Sequence, residues 1–446
     1  MSHRAYAENV LTCDPPVGAS DQPPAALDAR SWGRIRELFP LDEGMIHMNS
    51  GTVGAMPHAV LDVYNEVTRE WAGGLANIYP PSLYPAYRAA IAQDFGVDQD
   101  EMVICHNATE GISRIIAGLE LGEGDEALTT THECFSVLSN LNLMHNRYGL
   151  SVKKIVLPSG TEVRAEDIID LFEAAITPRT KVMVFAAVTL FTGMAMPIRQ
   201  LCELAQRHGI ITVIDGALLP GMLDRNLRAL GIDFLAGSGS KWQCGPLGTG
   251  LLYARNRVVP RYNPLPLPNF WPVVSTWYPL EGAPPPRSSP DRSGSNNIGD
   301  YLQSAGSASI GRAAALVKAC EIWNTIGRRR IEGYIMGLGR YAKQRLAEYF
   351  GEAALYSPMH DERLNSPVTS FNPFKNPEDA WNGHKFDVFV NRLEKEHKVW
   401  VRWVEFDVPG SPRMHYAARL CTHLFNSHDE IDRAVKIMVR LAEELS

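Results

Sequence analysis

Two ionisable residues suggest chemistry because of the segments in which they lie. Asp215 directly follows the apolar residues Val213 and Ile214, so its carboxylate is expected at the tip of a buried strand. Lys241 ends the glycine- and serine-rich turn GSGSK at residues 237–241. A carboxylate and an amine in one site can hold and move protons, as general acid–base catalysis requires. Taken singly, the two residues are more simply explained as a turn aspartate and an exposed loop lysine.

A third candidate motif is the polar turn Asn107-Ala108-Thr109, which separates a short apolar run at 102–104 from an amphipathic helical pattern. The first turn of a helix has backbone N–H groups without intrahelical partners, and these groups and the Thr109 hydroxyl can bind a phosphate. An ordinary capped helix start uses the same residue types. By itself the turn is weak support for a phosphate site.

The elements that must position these residues follow one pattern. From Met102 to about residue 253, short apolar runs alternate with amphipathic helices, which predicts an α/β fold with a mostly parallel sheet covered on both faces. Ligands of such sheets bind outside the carboxyl ends of the strands. Four loops are predicted at those ends: Asn107–Thr109, Thr131–Phe135, Thr189–Gly193 and Asp215–Leu219.

The chain of 446 residues is long enough for two domains. Residues 1–27 are rich in Pro, Ala and Asp and are predicted to form a flexible arm. Residues 28–300 are predicted to form the large domain, with 28–50 contributing to a smaller α+β domain at 301–446. The segment 256–300, dense in Pro, Ser, Asn and aromatic residues, is predicted to be irregular and to serve function or an interface.

The composition argues against several classes of protein. A formal net charge of −7 predicts no nucleic-acid partner. No apolar run reaches the ~18 residues of a membrane span, so no membrane association is expected. The seven cysteines lack metal-binding spacing, and they predict a cytoplasmic protein without a metal site.

Together the motifs resemble one family. Their order is the N-A-T turn, D-G-A at a strand end, G-S-G-S-K-W, and then G-P-L-G-T-G. This order resembles the fold-type I pyridoxal-phosphate enzymes, in particular the class V aminotransferase group. Within that group the chain resembles the isopenicillin N epimerase-like branch, which includes lincosamide-pathway relatives acting on cysteine S-conjugates. This resemblance implies a mostly parallel, seven-stranded-type sheet sandwiched by helices, a smaller α+β C-terminal domain, and pyridoxal 5'-phosphate as cofactor.

The resemblance implies a role for each matching residue. Asp215 would keep the pyridine nitrogen protonated, and Lys241 would hold the cofactor covalently and move the substrate Cα proton. Ala217 would lie under the ring. Residues 107–109, with Thr109 foremost, and Ser238 would hold the phosphate.

Two further assignments concern a partner subunit and the substrate. The family takes a phosphate ligand from a second subunit, and Ser295 matches that position, which implies a homodimer with shared active sites; Ser295 is equally explained as one more serine of a Ser-rich loop. Arg419, followed by N-S-H-D-E-I-D at 426–432, matches the arginine that grips the substrate carboxylate as a fork. Asn49 is a lesser candidate for the same carboxylate.

Three residues depart from the family pattern around the cofactor ring. Leu218 replaces a residue that can reach the phenolic oxygen, which leaves Thr189 as the next candidate. Ser240 precedes the lysine where histidine is common. The ring-stacking position falls on Cys134 without a gap, or on Phe135 if the loop shifts by one residue. Because of these changes, the reaction of a family member cannot be assigned directly to this chain.

The sequence excludes one of the family's reactions but does not decide among the others. A cysteine desulfurase needs a nucleophilic cysteine shortly before the arginine, and residues 401–416 contain none. Proton abstraction at Cα can lead to β-elimination, epimerisation or transamination. We expect an enzyme of secondary metabolism, such as antibiotic biosynthesis, that acts on a substituted amino acid by β-elimination or C–S bond processing of a cysteine S-conjugate. An epimerase or an aminotransferase is the alternative. A cofactor-binding regulator without catalysis is disfavoured because Asp215, Lys241 and Arg419 are all present.

Overall fold

A computed structural model of the chain describes residues 29–74, 83–255, 270–271, 273–274, 298–306 and 308–446. The predicted arm at 1–27, Ser295 and most of the segment 256–300 lie outside the described residues. Nothing in the described part is a helix long and apolar enough to cross a membrane.

The described helices, numbered in chain order, are α1 (Ala29–Arg36), α2 (His58–Ala72), α3 (Leu83–Asp94), α4 (Ala108–Gly118), α5 (Phe135–Tyr148), α6 (Ala165–Ala175), α7 (Ile198–Arg207), α8 (Ile298–Gln303), α9 (Ile310–Ile326), α10 (Arg328–Phe350), α11 (Gly383–His397) and α12 (His428–Glu444). The described strands are β1 (Ile46–His47), β2 (Met102–Cys105), β3 (Glu126–Thr130), β4 (Ser151–Ile155), β5 (Thr180–Ala186), β6 (Ile211–Gly216), β7 (Phe234–Ser238), β8 (Gly250–Ala254), β9 (Val368–Phe371), β10 (Val399–Trp400), β11 (Arg402–Phe406) and β12 (His415–Cys421).

The central sheet has seven strands in the order β2-β8-β7-β6-β5-β3-β4. Strand β8 runs antiparallel to β2 and β7, and the other neighbours are parallel. Side chains alternate between the two faces of a strand. In β5, Met183 and Phe185 pack into one core and Val182 and Val184 into the other, so the sheet is buried on both faces. The predicted mostly parallel, seven-stranded α/β fold is confirmed.

A second core lies around the antiparallel sheet β11-β12-β9 and includes residues of α10, α11 and α12. Strand β1 pairs in parallel with β10, and Ile46 and Met48 are buried in this second core. Helix α9 instead packs against α2, and its Ala313 and Leu316 belong to the core of the large sheet. The boundary at residue 301 stays a prediction.

Close backbone packing brings the start of α4 onto the sheet beside the strand ends. A Cβ atom at Gly111 of α4 would lie 2.6 Å from the Ala236 Cβ of β7. A Cβ atom at Gly250, the first residue of β8, would lie 2.7 Å from backbone carbons of Asn107. Real Cβ atoms do not approach so closely, so both positions require glycine for the helix to reach the sheet.

Candidate active site

A cavity opens at the carboxyl ends of β5, β6 and β7, and its empty space, open solvent at the mouth included, is about 550 Å³. Crevices at such strand ends are the usual ligand sites of open α/β sheets. The cavity is lined by residues from five chain segments: Asn107, Ala108, Thr109, Cys134, Ser136, Ala186, Val188, Leu190, Asp215, Ala217, Leu218, Ser238 and Lys241. The structure thus brings most of the sequence-predicted cofactor residues to one place.

Asp215 lies at the end of β6 and is only 4% exposed. Its Oδ1 atom accepts a hydrogen bond from the Ala217 N–H at 2.9 Å. Burial raises the pKa of the Asp215 carboxyl, while the Ala217 N–H and the charge of Lys241 oppose that shift. The carboxylate is therefore short of positive partners, and a protonated ring nitrogen would supply one.

Lys241 and Asp215 both line the cavity, and they lie close enough for their charges to interact. Burial lowers the pKa of the Lys241 amine, and the Asp215 charge opposes this shift. The lysine turn is held by its backbone, because the Gly54 N–H donates to the Ser240 carbonyl at 2.9 Å and a side chain at Gly54 would overlap the Lys241 carbonyl. A lowered pKa keeps more of an amine unprotonated, as covalent attachment and proton abstraction both require.

The start of α4 forms another wall of the cavity. Asn107 is the N-cap residue, and its Oδ1 accepts from the Glu110 N–H at 2.8 Å. Ala108 and Thr109 occupy the first turn, where backbone N–H groups point out of the helix and attract anions. Ser238 lines the cavity nearby, with its Oγ 3.4 Å from the Oγ of Ser240. These donors can hold a phosphate group.

Arg419 lies on β12 next to the cavity and is 1% exposed. One Nη atom donates to the Leu190 carbonyl at 3.1 Å, and the other donates to Asn49 Oδ1 at 3.1 Å and to Thr52 Oγ1 at 3.2 Å. Its buried Nε has no hydrogen-bond partner in the described part of the chain. An unpaired buried donor on a guanidinium is costly, and Arg419, which lies beside the cavity but is not among its lining residues, stays the predicted partner of a substrate carboxylate.

Three residues predicted to contact the cofactor ring, Cys134, Phe135 and Thr189, differ in whether they line the cavity. Cys134 is the N-cap residue of α5 and lines the cavity, whereas Phe135 is 71% exposed and is not among the lining residues. Thr189 is buried within its own loop, where its Oγ1 accepts from the Met194 N–H at 2.9 Å and lies 2.8 Å from Thr192 Oγ1. Of these three, the structure brings Cys134 alone to the cavity wall; all three roles stay predictions.

Sequence reasoning missed several residues of this site. Thr52 belongs to the polar turn that contains Asn49, and Ser136 lies one residue beyond a loop predicted at a strand end, so both positions carried a local signal. Glu133 lies inside that predicted loop, but the sequence assigned it no role. It is 1% exposed, and its Oε1 accepts a 2.6 Å hydrogen bond from the Thr130 hydroxyl. Burial raises the pKa of Glu133 to about 8; the bond from Thr130 opposes the shift and the charge of Asp215 adds to it.

The raised pKa of Glu133 predicts that folding weakens as the pH rises. Between the ordinary value of 4.5 and about 8, the folded state holds a proton that the unfolded state has released. The free energy of unfolding should therefore fall with pH in this window, by at most about 1.4 kcal/mol per pH unit from this group. In Glu133→Gln the fall should be smaller, as denaturant unfolding from about pH 5 to pH 8 would measure.

A matched control is Glu120→Gln, which removes one carboxylate from an exposed position on the surface. It should unfold with the pH dependence of the unmodified protein. Equal slopes for Glu133→Gln and the unmodified protein would contradict the assignment of Glu133 as a protonated acid.

Comparisons with known proteins agree with this geometry. Residues 49–269 match the family described as Aminotransferase class-V. Isopenicillin N epimerases from Amycolatopsis lactamdurans and Streptomyces clavuligerus are 26% and 29% identical over 426 and 420 residues, covering 93% of this chain in each case and 100% and 99% of the relatives.

Among solved structures, C-DES is similar in fold. It was solved as a variant with glycine covalently linked to its PLP cofactor, with a TM-score of 0.73 and 20% identity over 92% of this chain and 99% of that one. It was also solved as a cystine C–S lyase with its product cysteine persulfide, with a TM-score of 0.71 and 20% identity over 90% and 98% of the two chains.

The sheet, the buried Asp215 and the lysine turn are those of a fold-type I pyridoxal-phosphate enzyme. Residues 49–269 form an aminotransferase class-V domain, and the protein is a pyridoxal-phosphate-dependent enzyme of that class. The site fits the cofactor, since a carboxylate, an amine and a phosphate-binding helix start surround one cavity and Arg419 keeps an unpaired donor beside it.

Proposed function

We propose that the protein catalyses β-elimination, or related C–S bond processing, of a cysteine S-conjugate in secondary metabolism such as antibiotic biosynthesis. The similarity to isopenicillin N epimerases supports chemistry at Cα of an amino acid, and the fold is shared with a cystine C–S lyase. When bound, pyridoxal phosphate withdraws electrons from the substrate Cα and so acidifies its proton.

The residues around the cavity divide this work between them. Asp215 keeps the ring nitrogen protonated by charge pairing. Arg419 binds the substrate carboxylate, and Asn49 and Thr52 hold the guanidinium in place. Lys241 takes the Cα proton through Nζ; the Cβ–S bond then breaks with its electron pair leaving on sulfur, which is protonated to the free thiol. Hydrolysis of the remaining fragment yields pyruvate and ammonia.

One observation carries the preference for elimination. Among the described residues that line the cavity, Lys241 has the only side-chain amine, no imidazole is present, and Asp215 has the only carboxylate. Because Asp215 is committed to the ring nitrogen, Lys241 is the one amine, imidazole or carboxylate base that these lining residues leave for the substrate, and the Cys134 thiol is a weaker proton carrier. Elimination needs one base on one face of Cα, whereas a two-base epimerisation needs a second proton carrier on the other face.

Epimerisation is the second candidate, and the similarity to isopenicillin N epimerases over 93% of the chain favours it. The thiol of Cys134 lines the cavity and could serve as the second proton carrier. Transamination requires the same first step at Lys241 and no observation favours it over the other two.

Products from a panel of S-alkyl L-cysteines in deuterium oxide separate the two candidates. Elimination should release thiol, pyruvate and ammonia in equal amounts. Recovery of a D-configured product that carries solvent deuterium at Cα, without free thiol, would overturn the proposal in favour of epimerisation. L-Alanine, which has no leaving group, is the matched control and should release neither thiol nor ammonia.

We further propose that the enzyme is a cytoplasmic homodimer with shared active sites. The proposal rests on the match of Ser295 to a phosphate ligand that the family takes from the partner subunit. Sedimentation of the purified protein should give twice the chain mass of 49.4 kDa. A monomer with full activity would contradict it.

A further inference from the structure

The shape of the cofactor decides which wall meets its phenolic oxygen. In pyridoxal phosphate, one ring carbon carries the aldehyde, and its two neighbours in the ring carry the phenolic oxygen and the phosphate arm. The ring nitrogen lies opposite the carbon that carries the aldehyde. With the nitrogen at Asp215 and the aldehyde carbon at Lys241, the two substituents must lie on opposite sides of the line between these residues. This placement rests on the proposed roles of Asp215 and Lys241.

The order of the strands shows on which side of Asp215 the phosphate arm and the phenolic oxygen lie. Strand β6, which carries Asp215, lies between β7 and β5. The phosphate-binding groups Thr109 and Ser238 lie on the β7 side, because Ser238 ends β7 and α4 packs against β7. The phenolic oxygen therefore faces the end of β5 and the turn that follows Asp215.

The side chains that line the cavity on that side are apolar. They are Ala186, Val188 and Leu190 from the end of β5 and Leu218 from the turn after β6, and we call these four residues the apolar wall. Leu218 is buried, and it packs within the core that covers this face of the sheet.

The polar residues nearby are engaged elsewhere or lie on the other side. Thr189, between two members of the wall, has its hydroxyl engaged with the Met194 N–H and with Thr192. Ser136 lies toward α4, because Asn140 donates both to the Ser136 carbonyl at 2.6 Å and to Ser113 Oγ of α4 at 2.9 Å. Cys134 offers only a thiol, which is a weak donor.

We propose that the apolar wall leaves the phenolic oxygen without a side-chain hydrogen-bond donor, and that Leu218 thereby sets the protonation state of the bound cofactor. The oxygen shares a proton with the nitrogen that joins the cofactor to Lys241. A negative oxygen is costly beside hydrocarbon. The wall therefore favours the neutral form with the proton on oxygen, and it delays loss of that proton to higher pH.

Other titratable and charged groups near the cavity act on this proton too. Asp215 and Lys241 form the site itself, and the Nη atoms of Arg419 are bonded to Asn49, Thr52 and the Leu190 carbonyl. Outside the lining residues, Glu133 lies close enough to Asp215 for their charges to interact, and His132 Nε2 donates to the Asp407 carbonyl at 3.0 Å. Cys421 is buried near Lys241 and Arg419. All of them are unchanged in the variants described next.

The test is the absorption spectrum of the holoenzyme without substrate, titrated with pH. Leu218→Gln adds a donor to the wall and so stabilises the negative oxygen. Below the titration midpoint, the longer-wavelength band of the form with the proton on nitrogen should grow at the expense of the shorter-wavelength band of the form with the proton on oxygen. The midpoint of the titration should fall by about one to two pH units, the size of one hydrogen bond to a charged oxygen. Leu218→Met, which keeps the wall apolar at similar volume, should leave both unchanged.

Val188→Thr adds a hydroxyl to the same wall with almost no change of shape and keeps the inference testable if Leu218→Gln does not fold. Its midpoint should fall in the same direction. Unchanged spectra and midpoints in both donor variants would overturn the inference while leaving the cofactor assignment intact. A purified protein that takes up no pyridoxal phosphate would overturn both.

Discussion

Replacement of Lys241 by alanine is expected to abolish turnover and to remove the visible absorption band that covalent attachment of the cofactor produces. Lys241 is the only amine among the described residues that line the cavity, so none of these residues can take over covalent attachment of the cofactor. Loss of a general base alone costs roughly a hundred- to ten-thousand-fold in rate. We expect a fall in kcat of at least about a thousand-fold, measured as thiol release.

The matched control is Lys181→Ala on β5, which removes an exposed lysine from the opposite end of a strand that lines the site. It should keep the band and the rate. Circular dichroism would show that both variants fold. An unchanged visible band in Lys241→Ala would show that the assignment of this residue is wrong.

Replacement of Arg419 by lysine is expected to lower kcat/KM by about a hundred-fold, although the positive charge is kept. The guanidinium holds Leu190, Asn49 and Thr52 and still has a buried unpaired donor, a pattern that an ammonium group cannot reproduce. Loss of one or two hydrogen bonds to a carboxylate is worth about 1.5–3 kcal/mol each, and much of that loss is in substrate binding. The measurement is kcat and KM for the best substrate of the panel.

Arg402→Lys is the control, since Arg402 lies opposite Arg419 on the paired strand β11 but is exposed to solvent. It should retain the kinetics of the unmodified enzyme. A decarboxylated substrate analogue should bind Arg419→Lys and the unmodified enzyme alike. An equal loss for the analogue and the amino acid would mean that Arg419 supports the fold and does not bind the carboxylate.

Much of the fold was predictable because its signals are local. The strand that ends at Asp215 is a run of apolar and β-branched residues, and such runs form buried parallel strands wherever helices cover both faces. The glycine turn before Lys241 and the N-cap at Asn107 are each specified by a few consecutive residues. Local sequence therefore predicted the sheet, the strand ends and the cofactor motifs.

The residues that complete the site depend on distant parts of the chain. Asn49 and Arg419 are 370 positions apart and meet because β1 and β12 belong to the same core. Glu133 has a raised pKa only because folding removes it from water and places it near Asp215. Neither relation can be read from neighbouring residues, because burial and pairing are properties of the folded chain.

The sequence by itself determined the class of enzyme, through residue types that the chemistry of pyridoxal phosphate demands at strand ends. Tertiary structure decided the surroundings of the cofactor: Cys134 and not Phe135 on the cavity wall, the Thr189 hydroxyl engaged within its loop, and Leu218 among apolar neighbours. The physical reason is that side-chain direction and solvation are set by packing between elements, whereas the order of strands and helices is set by the hydrophobic pattern along the chain.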